Sequence, residues 1–142
     1  MEQAAAPNHY TVEEYLALED ASEVRHKYYQ GEVFAMAGAS LPHNHIIGNS
    51  YRALGDRLDA SRCEVFLDGA LLKIDDSCFI YPDLLVSCHP ADLAADRILQ
   101  HPSVIFEVLS PASAAYDRTA KLRFYQRLPS VRHYVLVQQE YC

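Results

Sequence analysis

The sequence predicts a single α/β domain whose mixed sheet is flanked by helices. Three observations carry this reading. Short apolar runs bounded by glycine, proline or aspartate recur along the chain, as strands do. Two longer segments, 43–59 and 117–128, carry apolar residues at helical spacing. The closing order is strand, helix, strand, the signature of an α/β sheet.

The elements follow in order. Residues 1–9 read as a flexible tail. Thr11 followed by Glu14 forms a capping box, and Val12, Tyr15 and Leu16 give one apolar face, so a short helix is expected over 12–18. Lys27-Tyr28-Tyr29 and Val33-Phe34-Ala35-Met36 flank Gln30-Gly31-Glu32, a hairpin pattern. After the small-residue loop at 37–42, Ile46, Ile47, Tyr51, Leu54 and Leu58 mark a long helix over 43–59. Runs 62–66 and 70–74 bracket Leu67-Asp68-Gly69, and Asp-Gly signals a second hairpin. A strand is expected over 79–87, a polar connection over 89–102, and a strand at Val104–Leu109. Ser110-Pro111 breaks the chain, Asp117 is placed to cap a helix to residue 128, and 131–137 is the last strand.

Composition sets the outer bounds. With 142 residues, 50% of them hydrophobic and 22% charged, the chain fits one domain with a genuine core. No apolar run reaches the length of a membrane span, and the N-terminus lacks a secretory pattern, so a cytoplasmic location is expected. On that basis Cys63, Cys78, Cys88 and Cys142 are expected as free thiols. No cysteine pair has zinc-type spacing, and the histidines are scattered. A net charge of −7 argues against a broad basic surface gripping nucleic acid, but not against a local basic lining. Neither a glycine-rich phosphate loop nor a Gly-x-Ser-x-Gly elbow occurs.

The chemistry concentrates in two apolar runs that each hold one carboxylate. Tyr81-Pro82-Asp83-Leu84-Leu85-Val86 contains Asp83, and Val104-Ile105-Phe106-Glu107-Val108-Leu109 contains Glu107. A carboxylate in such a run is costly to bury unless it is paired, hydrogen-bonded or metal-bound. Strand alternation puts Tyr81, Asp83 and Leu85 on one face, and Ile105, Glu107 and Leu109 on one face. In suitable register Asp83 and Glu107 point to one site, and two hard oxygen ligands suit Mg²⁺, with Mn²⁺ able to substitute. Asp117, Lys121 and Tyr125 lie four residues apart along one helix face. Read alone, Lys121 is explained by an ion pair with Asp117.

These residues, in this order, resemble the Uma2 family of restriction-endonuclease-like proteins, within the PD-(D/E)XK nuclease superfamily. Pro82-Asp83 matches the superfamily's proline–aspartate and Glu107 its second acid. The superfamily lysine normally lies two residues later, where this chain has Leu109. Uma2-like chains instead follow the glutamate strand with a serine–proline loop and a helix carrying lysine and tyrosine, as do Ser110-Pro111, Lys121 and Tyr125. Tyr10-Thr11-Val12-Glu13-Glu14-Tyr15-Leu16, Gly31-Glu32 and the 43–58 helix also match. The resemblance runs from Tyr10 to about Val137, so residues 1–142 are read as one Uma2-like domain.

The resemblance implies a restriction-endonuclease-like fold and Mg²⁺-dependent hydrolysis of DNA phosphodiesters. Asp83 and Glu107 would hold the metal, and Lys121 would complete the catalytic set. Glu32 and His45 are auxiliary candidates, and a homodimer follows by analogy with nucleases that cut both strands. Family-like chains carry an aspartate where this chain has Gln138 and continue with further strands, so a C-terminally truncated sheet is expected. The competing expectation is a nuclease fold kept as a weakly active or inactive binding and assembly module, which the acidic charge and Leu109 favour.

Overall fold

A computed structural model describes residues 9–36, 38, 40–59, 61–67, 69–110 and 118–139. Residues 1–8 of the expected 1–9 tail, the Asp117 cap, Asp68 of the expected second turn and the loop from Pro111 lie outside these residues. The mixed α/β class is observed, with the strands divided between two mixed sheets.

Helix α1 spans Val12–Ala21 and starts on the Thr11–Glu14 capping box, both halves of which are made. Strands β1 (His26–Tyr29) and β2 (Glu32–Ala35) form the first hairpin. Its turn needs two residues with positive φ, met by Gln30 at 49° and Gly31 at 87°. Helix α2 spans Leu41–Arg57, and its Ser40 cap accepts from the His43 N–H. Then come β3 (Glu64–Leu67), β4 (Leu71–Asp75), β5 (Cys78–Ile80) and β6 (Leu84–Ser87).

The segment 89–102, expected as plain loop, holds a one-turn helix α3 (Pro90–Leu93) and a two-residue strand β7 (Ile98–Leu99). Buried Asp92 organises it by accepting from Ser87 Oγ and from the N–H groups of Gln100 and His101. Strand β8 is Val104–Leu109, helix α4 is Ala120–Gln126 and strand β9 is His133–Gln138.

Two strand expectations are corrected. Segments 62–66 and 70–74 do not form a hairpin: β3 pairs with β6, and β4 pairs with β5 in the other sheet. The expected continuous strand over 79–87 breaks at Tyr81-Pro82-Asp83. There the chain leaves one sheet as β5 and enters the other as β6. Proline has no N–H to give a ladder, so the crossing falls where pairing is already interrupted. The five-stranded sheet runs β2-β1-β5-β4-β7 and the four-stranded sheet β3-β6-β8-β9.

Alternation along the strands sorts the core into layers. Leu72, Ile74, Cys78 and Ile80 of the larger sheet meet Leu85 and Ile105 of the smaller one, together with Phe124, Tyr125 and Leu128 from α4 and its end. The opposite face of the larger sheet, through Tyr28, Val33, Leu71 and Phe79, packs on Tyr15 of α1. The opposite face of the smaller sheet, through Leu84 and Val108, packs on Ile47 of α2. Both helices therefore cover outer faces, while α4 sits on the face that carries Glu107.

The free-thiol expectation is corrected for two cysteines. Cys63 and Cys88 form a disulfide with Cα atoms 4.0 Å apart. Glu64 pairs with Ser87 in the β3–β6 ladder, so Cys63 and Cys88 occupy the next register position. Sequence spacing hides such a cross-strand pair because register decides it. Cys78 is free and buried, and Cys142 lies outside the described residues. No helix among the described residues is long and apolar enough to cross a membrane.

Candidate active site

The antiparallel register of β6 and β8 sets Leu84 against Phe106 and Leu85 against Ile105. Continued by one residue, it sets Asp83 against Glu107. The two residues are joined in both directions. The Asp83 N–H donates to Glu107 Oε1 at 3.1 Å, and Asp83 Oδ2 accepts from the Val108 N–H at 2.7 Å. Pro82 thus performs two tasks: it ends one strand and delivers the next residue as a fixed carboxylate at a strand mouth.

Glu107 is 1% exposed. Burying a carboxylate that deeply requires partners, and α4 supplies them. Lys121 Nζ and Tyr125 OH each donate to Glu107 Oε2 at 2.7 Å. Residues four apart stand one above the other on a helix face, so both heads reach the same oxygen. Lys121 is half-buried itself. The observed helix starts at Ala120, with Thr119 at the cap position without a side-chain capping hydrogen bond.

His43 enters from the other side. Ser40 caps α2, which places His43 in the first turn with Nε2 3.1 Å from Asp83 Oδ2. Helix side chains tilt toward the N-terminus, so a first-turn residue reaches past the helix end. His43 Nδ1 is buried without a hydrogen-bond partner among the described residues.

The electrostatics follow from crowding. Burial, then the adjacent Glu107 charge, raise the Asp83 carboxyl from its ordinary range to about 8; the Val108 N–H and Lys121 oppose this. Two carboxylates share one ammonium, which leaves an excess negative charge. A proton on Asp83 relieves that excess, and a divalent cation would relieve it too.

Among the described residues, Asp83, Glu107 and Lys121 are brought together, while Glu32 and His45 are not in their hydrogen-bond network. Glu32 begins β2, exposed and opposite Tyr29 in the larger sheet. His45 is exposed, because two helical residues rotate the side chain by roughly 200° from His43. Reasoning from sequence therefore selected the wrong histidine of the pair as the one nearer the site. The available signal was Ser40-Leu41-Pro42, a cap followed by a first-turn proline, which puts His43 rather than His45 at the helix start.

The donor set fits a hard divalent ion by chemistry: two carboxylates stand on directly bonded residues of neighbouring strands. Water and a substrate phosphate would have to complete such a shell, since no three His, Cys, Asp or Glu side chains among the described residues are arranged to hold a metal.

The mixed α/β fold, with Asp83 beside Glu107 and Lys121 on Glu107, is of the restriction-endonuclease-like class. The chain belongs to the Uma2 family, described as "Putative restriction endonuclease", whose family model matches residues 12–141. It is 33% identical over 126 residues to the uncharacterized protein slr1290 of Synechocystis, covering 88% of this chain and 66% of that one. It is 32% identical over 132 residues to a second Synechocystis protein, the uncharacterized protein sll1609, covering 91% of this chain and 75% of that one. The fold is similar to the crystal structure of a "putative nuclease belonging to DUF820" from Anabaena variabilis. The TM-score is 0.73 at 19% identity, over 91% of this chain and 74% of that one.

Proposed function

We propose that the chain is a Mg²⁺-dependent endonuclease that hydrolyses DNA phosphodiester bonds, with Mn²⁺ able to replace Mg²⁺. The observation that carries this reading is the pairing of half-buried Asp83 with buried Glu107, with Lys121 on Glu107. Asp83 and Glu107 would hold the metal. When bound, the ion supplies charge neutralisation at the scissile phosphate and a lower pKa for water.

The chain's own residues do the rest. Tyr125 and Lys121 fix the Glu107 carboxylate in one orientation. The Val108 N–H and His43 fix Asp83. The Lys121 ammonium, held at Glu107, would stabilise negative charge that develops on a phosphate oxygen. A lysine reaching in from a helix replaces one on the strand because its stem is long and flexible.

Supercoiled plasmid with Mg²⁺ or Mn²⁺ provides the test. Nicking by the wild type, reduced about 10²–10³-fold in Lys121→Ala and abolished in Asp83→Ala, is the expected result. Equal nicking by wild type and both variants would overturn the assignment of these residues. Absence of nicking by a folded, metal-binding wild type would favour the alternative, a nuclease-like binding module.

A further inference from the structure

A second feature lies on α4, on a face adjoining the one that carries Lys121 and Tyr125. A cavity of about 390 Å³ opens between α4 and the β1–β2 hairpin. Its walls include three cations, Lys27, Arg123 and Arg127, and three aromatic rings, Tyr29, Phe34 and Phe124. We infer that this cavity holds one nucleotide of an unpaired nucleic-acid strand, with the base against the aromatic wall and the phosphate on Arg123. The choice of a strand rests on the nuclease reading; the choice of a base with a phosphate rests on the lining itself.

The charge distribution is the first argument. The chain carries −7 overall, yet three of its 12 basic residues line this one cavity. Cations gathered in this way raise the local positive potential, which favours an anion. Intramolecular contacts account for part of the cluster. Lys27 Nζ lies 5.6 Å from the Phe34 ring centre, Arg127 Cζ lies 5.8 Å from that of Phe124, and Arg127 donates to Asp75 at 2.8 Å. The Arg127–Asp75 pair is about half exposed and contributes little to stability, so its guanidinium can be shared. Arg123 is exposed at the mouth.

The aromatic wall is the second argument. Tyr29 and Phe124 lie 5.5 Å apart at 42°; Tyr29 and Phe34 are half-buried, and buried Phe124 backs them. Aromatic rings beside cations bind unpaired bases by stacking while the cations track phosphate. A paired base has both faces covered, which selects an unpaired strand over a duplex. The volume falls in the roughly 300–1,000 Å³ range of small-ligand sites, enough for one nucleotide. Because α4 carries Lys121 together with Arg123 and Phe124 of this lining, a strand held here is tethered to the helix that contacts Glu107.

Fluorescence anisotropy of a short fluorescein-labelled oligothymidylate, in EDTA at low salt, reads this site without cleavage. Wild type is expected to bind, and Arg123→Glu and Phe34→Ala to bind about tenfold or more weakly. Circular dichroism melts check each fold, and exposed Arg123 gives a variant that does not disturb the core. Thymidine monophosphate should compete, and inorganic phosphate at the same concentration should not. Tighter binding of the oligomer than of the mononucleotide assigns the cavity to a strand, and equal affinity assigns it to the free nucleotide. Equal competition by inorganic phosphate, or unchanged binding in both variants, overturns the proposal. Weakened binding in the variants without any Mg²⁺-dependent cleavage by wild type keeps the cavity and removes the nuclease reading. Cleavage with unchanged strand binding does the reverse.

Discussion

Asp83 and Glu107 clasp each other through the main chain: the Asp83 N–H donates to the Glu107 carboxylate, and the Asp83 carboxylate accepts from the N–H of Val108. Each acid is therefore part of the ladder that positions the other. The site cannot be loosened at one residue without disturbing its partner, and stability and chemistry are coupled at this point.

Glu107 shows that coupling most directly. Its carboxylate answers Lys121, Tyr125 and the Asp83 N–H from a position 1% exposed. Glu107→Ala removes the acceptor shared by the Lys121 ammonium, the buried Tyr125 phenol and the Asp83 N–H, and is expected to cost about 3–5 kcal/mol. Glu107→Gln keeps an acceptor in place and should cost clearly less, while still weakening divalent-ion binding. Urea unfolding of both variants, with Mn²⁺ calorimetry on the Gln variant, checks the pair. Equal stability of Glu107→Ala and wild type would show that the three donors are satisfied in some other way.

Asp83 predicts an unusual dependence on pH. Its carboxyl is raised to about 8, first by burial and then by Glu107, against an ordinary value of 3.8. Between those values the folded chain holds a proton that the unfolded chain releases. Stability of the metal-free protein should therefore fall as pH rises from about 4 to about 8 through this group. Asp83→Asn does not titrate, so its melting temperature should fall less over that window and exceed wild type at its upper end. Metal requires the ionised form, so Mg²⁺ affinity should rise with pH and level off above about 8. Thermal melts across pH, and calorimetry in buffers of different ionisation enthalpy, read the two effects. A pH-independent difference between wild type and Asp83→Asn would contradict the raised carboxyl.

The two histidines of α2 give a contrast within one helical turn. His43 meets Asp83 at 3.1 Å, while His45 is exposed. His43→Ala should lower metal affinity or cleavage by about tenfold, because Asp83 loses a group that orients it. His45→Ala should stay within about twofold of wild type, as surface changes away from a site usually do. A larger effect from His45 than from His43 would reverse the placement.

Much of the fold was legible because its signals are local. Thr11 and Glu14 announce a capped helix, the glycine at 31 announces a turn, and Val104–Leu109 reads as a strand from its apolar run. The acidic pair was legible for a physical reason: two carboxylates in apolar strands need partners. What stayed hidden depends on register and on which sheet a strand joins. Asp68-Gly69 resembles a hairpin turn, yet β3 and β4 enter different sheets. Pro82 marks a crossing that reads locally as one continuous strand. Tyr125 was visible as a neighbour of Lys121 on α4, but that both reach Glu107 Oε2 is a tertiary fact.

The Cys63–Cys88 disulfide supplies the final prediction. It joins the start of β3 to the end of β6, the strand that follows Asp83, across 25 residues of sequence. In the chain-entropy account, closing a loop of that length stabilises the fold by about 3.5 kcal/mol. For a domain of this size, that corresponds to a fall in Tm of roughly 7–14 °C on reduction. Dithiothreitol should lower the wild-type Tm to that of Cys63→Ser and leave Cys63→Ser itself unchanged. A non-reducing digest should yield the peptides containing Cys63 and Cys88 as one linked species that reduction separates. Because the bond anchors the far end of β6 and not the Asp83 end, reduced protein below its Tm should keep its divalent-ion affinity within about twofold, as distant sites behave additively. Loss of metal binding on reduction alone would show instead that the disulfide sets the position of Asp83.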